Sequence, residues 1–315
     1  MPRKPDWLKV QLPGAGAYAN VKTLLHRGRL HTVCEEARCP NLGECWGGGT
    51  ATFMLLGDVC TRGCRFCAVK SGHPSGVDAG EPESVATASR ELRLTYVVLT
   101  SVDRDDLSDG GAAHFAATVA ALRNLQPAPR IEVLVPDFQG NRDDLRTVVA
   151  SDPDVLAHNV ETVARLTPSV RDRRAGYARS LAVLAAAKEL GAAVTKSSLM
   201  LGLGETDAEI RETLAALRQV GTDIVTLGQY LKPSPRHLDV VEYVHPARFL
   251  RLRDVARDLG FSQVAAGPRV RSSYRAGELF EEHVGCGAAG TNRSPSPGLR
   301  GVDTAERFSG SMMSL

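Results

Sequence analysis

The chain has 315 residues, 43% of them hydrophobic, and a formal net charge of +2; that is apolar content enough for a sizeable core, in one large domain or two smaller ones. The near-cancelled charge predicts neither a nucleic-acid stripe nor attraction to a membrane surface, and no apolar run approaches the roughly 18 residues of a membrane span. The opening MPRKPDWLKVQLPG is basic at its start but lacks the apolar segment of a signal peptide, so the expectation is a soluble protein of a reducing cytoplasm.

In chain order, a helix is expected near NVKTLLHRG (20–28), with Asn20 as its cap. Cys34, Cys39 and Cys45 follow in a loop-like stretch containing Pro40 and Gly43. A repeating pattern then begins. Strands are expected at 52–57, 95–100, 131–135, 154–159, 193–201 and 223–231. Helices are expected near 83–92, 110–125, 141–150, 177–190, 206–220 and 246–259. Pro82, Thr206 and Pro246 sit where helices begin, and Gly191, Gly221 and Gly260 where they stop. Strands alternating with helices imply a parallel sheet with right-handed crossovers. The six units fit an open doubly wound sheet or a partial barrel, and in either the site lies at the carboxyl ends of the strands. From Gly285 onward the chain turns rich in Gly, Ser and Pro and reads as a tail; Cys286 lies in it.

Of the seven cysteines, six form two triplets of different pitch, Cys34-x4-Cys39-x5-Cys45 and Cys60-x3-Cys64-x2-Cys67. Disulfides are a poor reading of an odd count in a chain with no export signal. The second triplet falls in the first strand-to-helix loop, at the active end of a barrel. Three thiolates there can hold three corners of a [4Fe–4S] cube and leave one iron open to a small molecule. Zinc is one alternative, although its sites usually use paired Cys-x2-Cys knuckles or a histidine. A ferredoxin-like electron carrier is another; it would supply a fourth cysteine. The two triplets together exceed the four corners of one cube, so two clusters is the simpler count.

CxxxCxxC in the first loop of a β/α repeat resembles the radical S-adenosylmethionine (SAM) superfamily, and Phe66 matches the aromatic common before its last cysteine. That resemblance favours the barrel and implies a cluster whose open iron is chelated by SAM. One electron then yields a deoxyadenosyl radical that removes hydrogen from unactivated carbon.

The first triplet placed ahead of the second resembles the lipoyl synthase family. So do YVVLTSVDRDDLSDGGAAHF (96–115), HNVETVARL (158–166), MLGLGET (200–206), VTLGQYL (225–231) and GPRVRSSY (267–274). The resemblance implies insertion of two sulfur atoms, at carbon 6 and carbon 8 of an octanoyl chain on a carrier lysine. A second, auxiliary [4Fe–4S] cluster on Cys34, Cys39 and Cys45 is the implied sulfur source, and Ser273 of the RSSY stretch its fourth ligand. Cys286 is a rival for that position.

The implied partners are octanoylated lipoyl domains of 2-oxoacid dehydrogenases or the glycine-cleavage H protein, a low-potential electron donor and an iron–sulfur cluster carrier. A methylthiotransferase would need extra domains and a basic surface for RNA. Strand-end residues are the expected SAM contacts: Thr100 and Ser101 for the amino group, Asn159 and Glu161 for methionine or ribose hydroxyls, and Lys196 for a carboxylate. DRDD (103–106) reads equally as a solvated turn. Ser198 stands where the family usually has glycine, Arg269 where it commonly has an apolar residue, and 73–82 is looser than its counterpart.

The expected architecture is α/β, a partial (β/α)6 TIM-like barrel over 51–262. An N-terminal extension (1–50) would carry the auxiliary cluster, a C-terminal segment (263–284) would return with Ser273, and 285–315 would be a tail.

Overall fold

The structure is a computed structural model, and it describes residues 4–8, 25, 27–28, 30–33, 41 and 50–290. The first cysteine triplet, most of the helix expected over 20–28 and the end of the tail lie outside the described residues. Strand β1 (His31–Thr32) runs antiparallel along β2 (Thr50–Leu55), and a small parallel pair, β3 (Val59–Cys60) and β4 (Lys70–Ser71), follows. Then come α1 (Glu81–Glu91), β5 (Tyr96–Ser101), α2 (Ala112–Arg123), β6 (Arg130–Leu134), α3 (Arg142–Ala150), β7 (Val155–Ala157) and a short α4 (Thr167–Val170). The chain continues through α5 (Tyr177–Glu189), β8 (Thr195–Leu201), α6 (Asp207–Gln219), β9 (Ile224–Gln229), α7 (Pro246–Asp258), β10 (Gln263–Gly267) and α8 (Ala276–Gly290). Among the described residues no helix is long and apolar enough to cross a membrane.

The local signals act as their chemistry requires. Thr206 and Glu209 close a reciprocal capping box at the start of α6, and Pro246 opens α7. Gly191, Gly221 and Gly260 take left-handed φ values of 102°, 83° and 91° just past three helix ends, where a side chain would be strained.

Sheet order is β1-β2-β5-β6-β7-β8-β9-β10, the order of the chain itself, and β2 through β10 pair in parallel. Each crossover advances the sheet in one direction, so there is no switch point of a doubly wound fold. The strands curl into an incomplete barrel. Alternate residues face opposite ways. Val97, Leu99, Ile131 and Val133 pack outward with Phe115, Val119 and Leu122, while Leu199, Leu201, Val225 and Leu227 meet Ile210, Leu214 and Phe249.

Two elements depart from expectation. β10 is a seventh parallel strand, in a stretch whose Gln, Ala and Gly carry little β preference; it forms because β9 offers a free edge over five registered pairs. The second is α8, which begins inside the expected C-terminal segment and extends past Gly285 to Gly290, so Cys286 belongs to a helix rather than to a tail. Ala276 and Phe280 of α8 pack with Tyr96, Val98, Val155, Val194 and Ile224 at the amino ends of the strands, forming a floor to the barrel.

Before α8, the chain crosses the inner side of β9. A methyl built on Gly228 would overlap the carbonyl of Val270, and Arg271 Nη1 donates to the Gln229 carbonyl at 3.2 Å. Gly228→Ala must therefore lift the 270–274 segment. The expected cost is about 1–3 kcal/mol of stability, read as a fall in the thermal midpoint; an unchanged midpoint would show that the segment's seat on β9 contributes nothing.

Candidate active site

β2 ends at Leu55, and the loop beyond it carries Cys60, Cys64 and Cys67 as free thiols. β3 and β4 bracket this loop, with Gly72 N–H donating to the Cys60 carbonyl at 2.9 Å. Its anchor is Arg62, which is buried. Its guanidinium donates to Asp105 at 2.7 and 2.8 Å and to Asp137 at 2.7 Å, and pairs with Asp103 at 3.3 Å. Arg104, also buried, donates to the Leu56 carbonyl at 3.2 Å and to Asp106. Asp103, Arg104 and Asp105 of DRDD thus belong to the packed framework of the cysteine loop, and only Asp106 is exposed to solvent. Burial raises Asp103 to about 6 against the pull of Arg62.

Two of the three sulfurs accept backbone N–H groups. Arg62 and Asp103 donate to Cys60 Sγ at 3.4 and 3.3 Å, and Asp172 to Cys64 Sγ at 3.3 Å. Burial pushes the Cys60 thiol up to about 11 and the Cys64 thiol to about 12, and raises Cys67 as well. Such thiols become thiolates when a bound cation displaces their protons. Among the described residues no three Cys, His, Asp or Glu side chains gather around one point as a single ion requires. Three cysteines along one loop can each take one corner of a [4Fe–4S] cube.

Facing the loop are the strand ends. Ser101 Oγ and Asn159 Oδ1 are buried without hydrogen-bond partners, an expensive state that a polar ligand would relieve. Asn159 Nδ2 donates to Glu161 Oε1 at 3.1 Å. Glu161 sits at φ 67°, hydrogen-bonded through its backbone to Ser198 and Met200. Burial raises its carboxyl, opposed by Arg171, and its charge reaches Cys67. Thr100 Oγ1 already donates to the Leu134 carbonyl at 3.0 Å.

Lys196 is not at the site. It lies near the amino end of β8, 2% exposed, with Nζ 2.9 Å from both oxygens of Glu132. Its even-numbered position turns it into the barrel floor, where Tyr96 also donates to Glu132 at 2.9 Å. Ser198, on the same inward face, accepts from Thr226 Oγ1 at 2.7 Å.

Arg171 replaces Lys196 as the cation near the strand ends. It is buried, its Nε has no partner, and Nη1 donates to Ser180 Oγ at 2.7 Å. Ser180 is held in turn by His158 Nε2 at 2.9 Å, and burial depresses that imidazole to about 4, so it is neutral. A second histidine, His237, places Nε2 2.8 Å from the Cys67 carbonyl and Nδ1 2.8 Å from Ser234 Oγ. Neither Arg171 nor His237 carries a spacing signal; only folding brings them to the loop. Phe66 packs with Val170, Leu203 and Tyr230.

Ser273 lies in a half-buried turn between β10 and α8. Its expected partners Cys34, Cys39 and Cys45 are outside the described residues, but Asn41, between two of them, is not. Asn41 Nδ2 donates to the Arg269 carbonyl at 2.6 Å, tying the first triplet's stretch to the segment that bears Ser273.

Residues 54–217 match the radical SAM superfamily, and residues 1–39 the N-terminal domain of lipoyl synthase of that family. Over 279 residues the chain is 57% identical to lipoyl synthase of Myxococcus xanthus (strain DK1622), covering 88% of this chain and 94% of that one. The chain belongs to the lipoyl synthase family. Lipoyl synthase of Pyrobaculum aerophilum is 58% identical over 281 residues, 88% of this chain and 96% of the relative. Among solved structures, methylornithine synthase superposes with a TM-score of 0.53 at 13% identity, over 78% of this chain and 81% of that one. The hydrogenase maturase HydG from Carboxydothermus hydrogenoformans gives 0.52 at 15%, over 84% and 77%. These last two share the fold, the partial barrel of radical SAM enzymes. Membership in this family implies SAM and a [4Fe–4S] cluster, and the donors at the cysteine loop fit that pair: three sulfurs, two of them supported by backbone N–H groups, two orphaned oxygens and one buried guanidinium.

Proposed function

We propose that the protein is a sulfurtransferase that places two sulfur atoms at carbon 6 and carbon 8 of an octanoyl group amide-linked to a carrier lysine. The observation that carries this reading beyond radical chemistry in general is the Asn41–Arg269 hydrogen bond. It supports a second cluster site built from Cys34, Cys39 and Cys45 of the N-terminal extension with Ser273 of the C-terminal segment, as sulfur source.

Cys60, Cys64 and Cys67 would hold the first cluster, their backbone N–H donors stabilising negative charge on sulfur. Ser101 and Asn159 would accept from the SAM ammonium and hydroxyl groups with their orphaned oxygens, and Glu161 would help orient Asn159. Thr100, its proton spent on Leu134, would serve only as an acceptor. Arg171 would offer its free Nε–H to the methionine carboxylate, held in place by Ser180 and His158. When bound, SAM and its cluster supply the one-electron cleavage that lets hydrogen be taken from an unactivated carbon. The floor of Tyr96, Val98, Ile224 and Phe280 would close the barrel to water from below.

The partners are octanoylated lipoyl domains of 2-oxoacid dehydrogenases or the glycine-cleavage H protein, a low-potential electron donor, and a cluster carrier to rebuild the consumed site. The test is anaerobic reconstitution with SAM, a strong reductant and an octanoyl-lysine carrier peptide, followed by mass spectrometry. Gain of two sulfurs with deoxyadenosine is expected. Deoxyadenosine without sulfur would overturn the substrate assignment. Neither product, from a sample holding both clusters, would overturn the reaction class.

A further inference from the structure

Three exposed arginines border the cysteine loop without a carboxylate partner among the described residues: Arg65, Arg173 and Arg236. Each is tied closely to a ligand cysteine. Arg65 follows Cys64 directly; its Nη1 donates to the Ser169 carbonyl at 3.0 Å and its own carbonyl accepts from Leu238 N–H at 3.3 Å. Arg173 follows Asp172, whose N–H reaches Cys64 Sγ at 3.3 Å and whose carboxylate accepts from Gly63 N–H at 2.9 Å. Arg236 precedes His237, which touches the Cys67 carbonyl at 2.8 Å. The hydrogen bonds between these three segments place them on one patch, the outer side of the loop.

Nearby charges are already matched. Arg174 serves Asp172 and Asp105, Lys232 serves Asp239, and Lys70 serves Asp58. The patch therefore keeps a surplus of positive charge. Gly63 and Arg65, on either side of Cys64, are both exposed, so this is where the cysteine ligands come nearest to the surface. An acyl chain must instead reach the strand ends inside the barrel, where Ser101 and Asn159 lie. An electron needs only a short path to the sulfurs, and its transfer rate falls steeply with distance.

We propose that this patch is the docking face for an acidic one-electron carrier protein that reduces the cluster held by Cys60, Cys64 and Cys67. The inference rests on the reading of that loop as the SAM-cluster loop. The reduced carrier loses one electron and the oxidised cluster gains it; no bond forms or breaks between the two proteins. Redox encounters of this kind are small and transient, and opposite charge serves mainly to speed and orient them.

The test compares wild-type holoenzyme with R65Q/R173Q/R236Q, following deoxyadenosine formation with two donors. One is an acidic flavodoxin in its fully reduced state; the other is reduced methyl viologen, a small cation that needs no docking face. With flavodoxin at low ionic strength the variant should lose about tenfold or more in second-order rate, and the salt dependence seen for wild type should flatten. With viologen the variant should react no more slowly than wild type, since neutralising the patch can only lessen its repulsion of a small cation. Single variants R173Q and R236Q, each losing a smaller share, cover the case in which the triple variant fails to hold its cluster. Equal loss with both donors would overturn the proposal in favour of a role in supporting the cluster. Undiminished flavodoxin rates would place the carrier elsewhere. A rise confined to KM for the octanoylated domain, in viologen-driven turnover, would make the patch the acyl-carrier face instead. If loaded wild-type enzyme cleaves no SAM even with viologen, it is the reading of the loop that has failed, and the proposal falls with it.

Discussion

Replacing Ser273 by Cys should leave a protein that holds both clusters, cleaves SAM, and inserts almost no sulfur. An alkoxide is a hard ligand and binds iron in a sulfide-rich cluster less well than thiolate does. A serine at the fourth corner would mark the iron that must leave when the cluster gives up sulfide. A thiolate there would hold that iron. The loss in lipoylated product should be about a hundredfold or more, equivalent to about 2.7 kcal/mol of added barrier. It is read by mass spectrometry of the carrier peptide beside a deoxyadenosine assay and an iron determination. Ser272→Cys, one residue away, should behave as wild type. Full turnover by the Ser273 variant would remove this residue from the mechanism. The rival ligand Cys286 is best tested as Cys286→Ala. Truncation after Tyr274 would strip Ala276 and Phe280 from the barrel floor and so confuse two effects.

Lys196→Met should cost about 3–5 kcal/mol of stability, because it leaves the Glu132 carboxylate buried and uncompensated. For a domain of this size the thermal midpoint should fall by roughly 10 °C. KM for SAM should not change. The double variant Lys196→Met/Glu132→Leu should recover most of the loss, since well-packed apolar side chains replace buried ion pairs at little cost. The remainder reflects Tyr96, whose hydroxyl then lacks its acceptor. If Lys196 instead bound a SAM carboxylate, its loss would raise KM by an order of magnitude or more, a change of about 1.4 kcal/mol, and hardly move the midpoint. The two outcomes separate a lysine of the floor from a lysine of the site.

This lysine shows where one-dimensional reading ends. VTKSS identifies a strand, and a lysine near a strand end is a fair candidate for an anion. Whether it stands at the carboxyl end or the amino end depends on two or three residues of strand boundary, and on what lies across the barrel. Glu132 is 64 positions away and has no sequence relation to it. The position of Ser101 and Asn159 at strand ends was legible, because the end of a hydrophobic run marks the carboxyl end of a strand whatever the neighbours are. Arg171 was not. It lies in the irregular, arginine-rich stretch VRDRR, and only the contacts with Ser180 and Val160 separate the buried member from its exposed neighbours. DRDD misled for the same reason: a run of charges is solvated unless another element brings the countercharges, and here Arg62 does.

The sequence by itself determined the cysteine spacing, the alternation of strand and helix, and the helix starts and stops. These follow from side-chain chemistry and backbone sterics acting over a few residues. It also carried the family, through motifs spread from the first triplet to RSSY. Tertiary structure alone decided that the sheet advances in one direction, that Gln263–Gly267 becomes a seventh strand, and that a glycine-bearing helix forms the barrel floor. It also decided which of many arginines are buried, paired or left bare. Such choices turn on desolvation and on partners distant in the chain, and both exist only once the strands have been brought side by side.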